Sequence, residues 1–182
     1  MQEIELKILD IDIKEIEKKL IKLGADKIST NLVNVNFFDF EDERIIKRGE
    51  LLRLRQIGDK IELTHKGKRK EDIEFKISEE TETTVESFEE MKKILEKIGL
   101  ICINESEKTR TSFKIGKTKI EIDQHPKIPP YLEIEGTKED IEDIVKKLGF
   151  SMNDTCDLTG SKVIKKYGVN PKNLKFETNP IR

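Results

Sequence analysis

Two periodicities run through the chain. Three segments space their apolar residues three and four apart, as a helix with one buried face requires. In Asp12–Leu23, Ile13, Ile16, Leu20 and Leu23 share a face, Asp12 and Glu15 stand in capping-box positions, and Gly24 follows as a stop. Ser87–Ile98 repeats the scheme, with Ser87 and Glu90 as the box, Phe88, Met91, Leu95 and Ile98 as the stripe, and Gly99 at the end. Thr137–Leu148 is the third, carrying Ile141, Ile144, Val145 and Leu148 before Gly149. Such stripes need an apolar sheet face to cover.

That sheet is written in period two. Eight strands are expected, at Gln2–Leu9, Val33–Phe40, Leu51–Ile57, Lys60–Lys66, Asp72–Ser78, Thr109–Ile115, Thr118–Gln124 and Tyr131–Glu135. Gly58-Asp59 and Gly116-Lys117 each separate two strands by two residues with glycine first, which fits a type II′ hairpin and antiparallel neighbours. Gly24–Asn31 reads as a connector, and Pro126, Pro129 and Pro130 interrupt the chain before the last strand. Each helix follows a strand bearing glutamates, the trace of a degenerate repeat.

Side chains two apart in a strand share a face. One face here carries Glu3, Glu5, Lys7, Arg53, Arg55, Glu62, Lys66, Glu74, Lys76, Arg110, Glu121, Asp123, Glu133 and Glu135. The other carries Ile4, Leu6, Leu52, Leu54, Ile61, Leu63, Ile73, Phe75, Ile120, Ile122, Leu132 and Ile134. For any single strand a solvated polar face is the ordinary explanation. The whole set argues otherwise, because arginine and glutamate rather than serine and threonine fill the face, and eight strands are enough to close a small barrel. Closure gives an α+β fold, a closed eight-stranded antiparallel β-barrel with helices packed outside, and turns the charged face into a lumen. Carboxylates clustered there suit hard divalent cations, and Lys and Arg suit phosphate oxygens. Both together are the signature of a metal–polyphosphate ligand.

Composition narrows the class. The chain has 182 residues, the size of one domain, and 35 Lys+Arg against 37 Asp+Glu, so it lacks the basic balance of a nucleic-acid module. Charged residues make up 40% and hydrophobic ones 35%, without an apolar run approaching the ~18 residues of a membrane span. No basic-then-apolar leader opens the sequence, so a cytoplasmic protein is expected. Cys102 and Cys156 lack metal-site spacing and read as inert buried thiols. Abundant Ile, Lys and Glu with three Gln fit a thermophile.

Glu3-Ile4-Glu5-Leu6-Lys7 resembles the E-x-E-x-K motif of the CYTH superfamily, the triphosphate tunnel metalloenzymes, which include class IV adenylyl cyclases and thiamine and inorganic triphosphatases. Leu52-Arg53-Leu54-Arg55, Leu63-Thr64-His65-Lys66, Lys108-Thr109-Arg110, Asp123 and Leu132-Glu133-Ile134-Glu135 follow in that family's order, spanning residues 1 to about 150. The resemblance implies a single domain over 1–182, with 151–182 as closing segment and tail. It implies a metal set of Glu3, Glu5, Asp123, Glu133 and Glu135 for Mg²⁺ or Mn²⁺. It also implies a substrate set of Lys7, Arg53, Arg55, Lys66, Lys108 and Arg110, with Lys76, and a catalytic group of Glu3, Glu5 and Lys7. Gly160-Ser161-Lys162 departs from the Ser-Tyr of relatives. The expected reaction is ATP to 3′,5′-cyclic AMP and pyrophosphate; the alternatives are triphosphate hydrolysis, on tripolyphosphate or thiamine triphosphate, and non-catalytic binding of polyphosphate or nucleotide. A small-molecule triphosphate is the partner, with no nucleic acid and no membrane, and a homodimer follows by resemblance.

Other residues carry less. His65 alternates outward, and His125 sits before Pro126 near a tunnel mouth. The Lys66–Lys70 run reads as a solvated turn able to steer anions. Phe38 and Phe40 belong under helices, leaving Phe37 for the other face, and Val169–Arg182 reads as a flexible end or a lid.

Overall fold

The computed structural model describes residues 2–68, 76–178 and 180–181. Its strands are β1 (Gln2–Ile8), β2 (Asp26–Phe40), β3 (Leu51–Ile57), β4 (Lys60–Lys66), β5 (Lys76–Thr84), β6 (Leu100–Ile115), β7 (Thr118–Gln124), β8 (Tyr131–Glu135) and the two-residue β9 (Thr155–Cys156). Antiparallel pairing runs β5-β4-β3-β2-β6-β7-β8-β1, and β5 pairs again with β1, so eight strands close a barrel. The closing seam joins Gln2–Glu5 to Lys76–Glu79. β9 continues along the same edge of β1, at Lys7 and Ile8.

Helices α1 (Ile13–Lys22), α3 (Phe88–Lys97) and α4 (Lys138–Lys147) form where the apolar stripes require, and Asp12, Ser87 and Thr137 cap them through the backbone N–H of Glu15, Glu90 and Asp140. Ile16 and Leu20 of α1 and Ile141, Ile144 and Val145 of α4 pack on Leu6, Ile120, Ile122, Leu132 and Ile134. Leu95 of α3 covers Phe38 and Leu54, with Phe40 against the same cluster. The core therefore lies outside the barrel wall. Gly58 and Gly116 take φ of +56° and +57° while Asp59 and Lys117 do not, the pattern of a type II′ turn.

Four expectations change. The connector at Gly24–Asn31 is mostly strand: β2 starts at Asp26 and pairs with β6 over its whole length, Thr30 and Thr111 sharing a hydroxyl hydrogen bond at 3.1 Å. β6 starts at Leu100 rather than Thr109, because its first half pairs with β2 alone. The expected strand Asp72–Ser78 falls largely outside the described residues, as do Glu74 and the last two residues of the Lys66–Lys70 run; β5 continues instead to Thr84, paired there with Glu62 of β4. Both cysteines are free but half-buried rather than buried.

Two further helices are too short to show a period. α2 (Arg44–Lys47) is held by Asp39, a fully buried carboxylate that accepts from the backbone N–H of Phe40, Ile45 and Ile46 at 2.7–2.9 Å. Burial alone would raise that carboxyl; the three amides outweigh it and hold it below the usual range. α5 (Gly160–Lys166) seats Val163 and Ile164 against Ile128, Tyr131 and Leu174, a third apolar cluster at one end of the barrel. The tail is anchored where it meets β6. Glu107 N–H donates to Leu174 O at 2.8 Å, and Lys175 pairs with Glu105 at 2.7 Å.

Candidate functional site

Register fixes what faces the lumen. Glu5 and Lys7 of β1, Arg53 and Arg55 of β3, Glu62, Thr64 and Lys66 of β4, Lys108 and Arg110 of β6, Glu121 and Asp123 of β7 and Glu133 of β8 line it, in two sectors. In the first, on β1, β6, β7 and β8, Lys7 reaches Glu5 at 2.5 Å and Glu133 at 2.8 Å. Arg110 binds Asp123 through two bonds of 2.6–2.7 Å, reaches Glu133 at 3.1 Å and also pairs with Glu121. Lys108 donates to Asp123 at 2.5 Å. Lys7, Glu5, Arg110 and Asp123 are all buried.

Burial penalises each of these charges, and neighbours decide the outcome. It would discharge Lys7, but Glu133 and Glu5 reverse the direction and keep the ammonium protonated well above its ordinary range. For Asp123, Arg110 and Lys108 overcome burial and hold the carboxyl far below the usual range. Lys108 goes the other way: burial and the adjacent Arg110 bring it down to about 8 despite Asp123. Burial likewise lowers His125 to about 4, its Nε2 lying 3.1 Å from the Tyr131 hydroxyl and its ring stacked on that residue.

The second sector, on β3, β4 and β5, is looser. Arg55 holds Glu62 at 2.5 and 2.9 Å, but Arg53 reaches Thr64 at 3.4 Å and Glu82 only at 4.0 Å, while Arg55 stands 3.6 Å from Glu82. Thr64 donates to Glu82 at 2.9 Å, and Lys66 pairs with Glu80.

The expected metal set is partly assembled. Glu5 and Glu133 converge on one cationic nitrogen, whereas Asp123 is tied to Arg110 and Lys108, and Glu135 turns to Lys119 at 2.9 Å. Among the described residues, no three carboxylate, imidazole or thiol groups come together with metal-ligand spacing. Two hard oxygen donors already closing on a single cation nonetheless fit Mg²⁺ or Mn²⁺ chemistry. Glu3 lies on β1 opposite Ser78, and Lys76 on β5 opposite Glu5.

Sequence reasoning missed Glu80, Glu82 and Tyr131. Tyr131 has the parity of Glu133 and could have been read from it; Glu80 and Glu82 sit in the run Glu79–Thr84, where neither face is apolar. His65 points outward, 3.4 Å from Glu50, as its parity requires.

A closed antiparallel barrel lined by interleaved Lys, Arg and carboxylates defines the class. The profile of the CYTH domain matches residues 1–162, and the chain belongs to that family. It is 28% identical over 148 residues to a candidate adenylate cyclase of Methanocaldococcus jannaschii, covering 81% of this chain and 84% of that one. Among solved structures, a candidate adenylate cyclase from Vibrio parahaemolyticus superposes with a TM-score of 0.79 at 18% identity, covering 90% of this chain and 97% of the other. A candidate adenylyl cyclase from Hippeastrum, described as having a dominant triphosphatase activity, superposes with a TM-score of 0.64 at 16% identity, covering 92% and 96%. Among the described residues no helix is long and apolar enough to cross a membrane.

Proposed function

We propose that this chain is a divalent-metal-dependent enzyme that binds a triphosphate in its barrel and converts ATP to 3′,5′-cyclic AMP and pyrophosphate. The observation that carries the reading is the convergence of Glu5 and Glu133 on one cation inside a lumen whose opposite wall presents Arg53 and Arg55. Arg53, Arg55 and Lys66, with Lys108 and Arg110 on the far side of β2, are donors spaced along an extended anion, each able to exchange a carboxylate partner for a phosphate oxygen. Lys7 stays charged, so it serves as a fixed cation rather than a base. Glu5 and Glu133, with Glu3, Glu135 and Asp123 as further carboxylates, would hold Mg²⁺ or Mn²⁺, which when bound supplies neutralisation of phosphate charge and Lewis-acid polarisation. In cyclisation the ribose 3′-oxygen attacks the α-phosphorus, its proton passes to solvent, and the bond from the α-phosphorus to the α,β-bridging oxygen breaks, that oxygen leaving with the pyrophosphate.

Triphosphate hydrolysis is the second reading, favoured by the activity ascribed to the Hippeastrum protein. Incubation with ATP, 3′-deoxy-ATP, tripolyphosphate and thiamine triphosphate, in Mg²⁺, Mn²⁺ or chelator, separates the readings by product mass. Cyclic AMP from ATP alone supports the cyclase. Equal phosphate release from ATP and 3′-deoxy-ATP with no cyclic product moves the assignment to hydrolase, and binding without turnover moves it to a sensor.

A further inference from the structure

Three successive inward positions of β2, before Asp39, are uncharged. Val33, Val35 and Phe37 stand on the lumen side, directly across from Ile57, Arg55 and Arg53 of β3, and from Lys108, Ser106 and Asn104 of β6. None of the three belongs to the apolar clusters under the helices. Val33 and Val35 are buried, at 0% and 6% exposure, with Lys108 and Arg55 as cross-strand neighbours. Phe37 differs. It is half-buried, an aromatic side chain at a lumen-side position between Arg53 and Asn104.

Its two cross-strand neighbours are of contrasting kinds. On one side lies Arg53, whose contacts to Thr64 and Glu82 are long, at 3.4 and 4.0 Å. On the other lies Asn104, half-buried and neutral. The tail fixes how Asn104 presents itself, because the backbone N–H of Asn173 donates to its Oδ1 at 2.8 Å and so leaves the amide nitrogen as the donor facing away. Asn173 in turn accepts from Glu105 N–H at 3.3 Å, clamping tail to strand. This lies beyond Thr109, the last β6 residue paired with β7, so the tail replaces β7 as the neighbour of β6 at this end.

We propose that Phe37 and Asn104 form the subsite for a planar heterocycle, and that the substrate class is therefore an organic triphosphate bearing such a ring rather than inorganic tripolyphosphate. The proposal rests on the reading that the lumen binds a triphosphate. An aromatic face stacks on any planar ring, an amide donor reads the ring edge, and an arginine directly across takes the phosphate end of the same molecule. Inorganic tripolyphosphate, which has no planar ring, would gain no stacking from Phe37.

The test measures dissociation constants of ATP, thiamine triphosphate and tripolyphosphate in Mg²⁺ for the full chain and for Phe37→Leu and Asn104→Ala. Phe37→Leu keeps an apolar side chain of similar size, so the barrel stays closed. The expected result is that both variants lose preference for a ring-bearing ligand over tripolyphosphate, about tenfold for Phe37→Leu, the scale of one stacked ring. A preference unchanged in Phe37→Leu, or an equal loss for all three ligands, overturns the subsite. Absence of binding by all three to the unsubstituted chain overturns the triphosphate reading itself, a distinguishable failure.

Discussion

The two sectors of the lumen contain the same residue types and behave differently. On β1, β6, β7 and β8, Lys7 and Arg110, both buried, each serve two or more carboxylates at 2.5–3.1 Å. On β3–β5, Arg53 reaches its carboxylate at 4.0 Å and shares it with Arg55 and a threonine hydroxyl. Removing a partner from the first strands a buried charge; removing one from the second leaves groups that solvent or a neighbour can serve. The first sector is a scaffold for charge, and the second sets the long contacts of Arg53 to Thr64 and Glu82 beside the short Arg55–Glu62 pair.

Arg110→Ala attacks the scaffold where it is most connected. It leaves Asp123, Glu121 and Glu133 short of their shared cation and should destabilise the fold by about 3–5 kcal/mol, read from denaturant unfolding. A loss below about 1 kcal/mol would erase the distinction between sectors. Glu5→Gln keeps the volume and removes the negative charge from one of the two carboxylates that converge on Lys7. Metal-dependent turnover should fall at least about a hundredfold, equivalent to about 2.7 kcal/mol, with circular dichroism unchanged; wild-type rates would make Glu5 structural only.

Arg53→Ala probes the loose sector. Stability should change by less than about 1 kcal/mol while tripolyphosphate affinity drops about tenfold by calorimetry. A destabilised protein with unchanged affinity would reverse the roles of the two sectors. The smallest effect concerns acid. Arg55 and Lys60 overcome burial and lower the Glu62 carboxyl to about 2 from 4.5, so its contribution is intact above pH 4.5 and is lost as pH falls toward 2. Glu62→Gln should flatten that part of the stability–pH curve, and a curve of unchanged slope would show that another carboxylate carries it.

Legibility followed the physics of each segment. β1, β3, β4, β7 and β8 alternate cleanly because one face packs under helices while the other is charged, and α1, α3 and α4 carry stripes and caps. The first half of β6 is hidden because the tail at Leu174 and Lys175 supplies the partner that a periodic apolar face would otherwise announce. α2 is four residues held by Asp39, a tertiary hydrogen-bond set with no periodic signature. In the site, Lys7, Arg53, Arg55 and Glu133 were readable from parity. What parity does not encode is pairing: that Asp123 is tied to Arg110 and Lys108, or that Glu82 bridges two arginines, depends on which strands become neighbours.

The seam between β1 and β5 sets the order in which the molecule can assemble. β1 finds its partners at residues 76–79, 132–135 and 155–156, all made long after it. Hairpins such as β3–β4 and β6–β7 form locally, but the strand carrying Glu5 and Lys7 has no strand to pair with until residues 76–79 have been made. Its charged alternate residues disfavour pairing with another chain during that wait. The residues that build the site thus also guard the strand before the site exists.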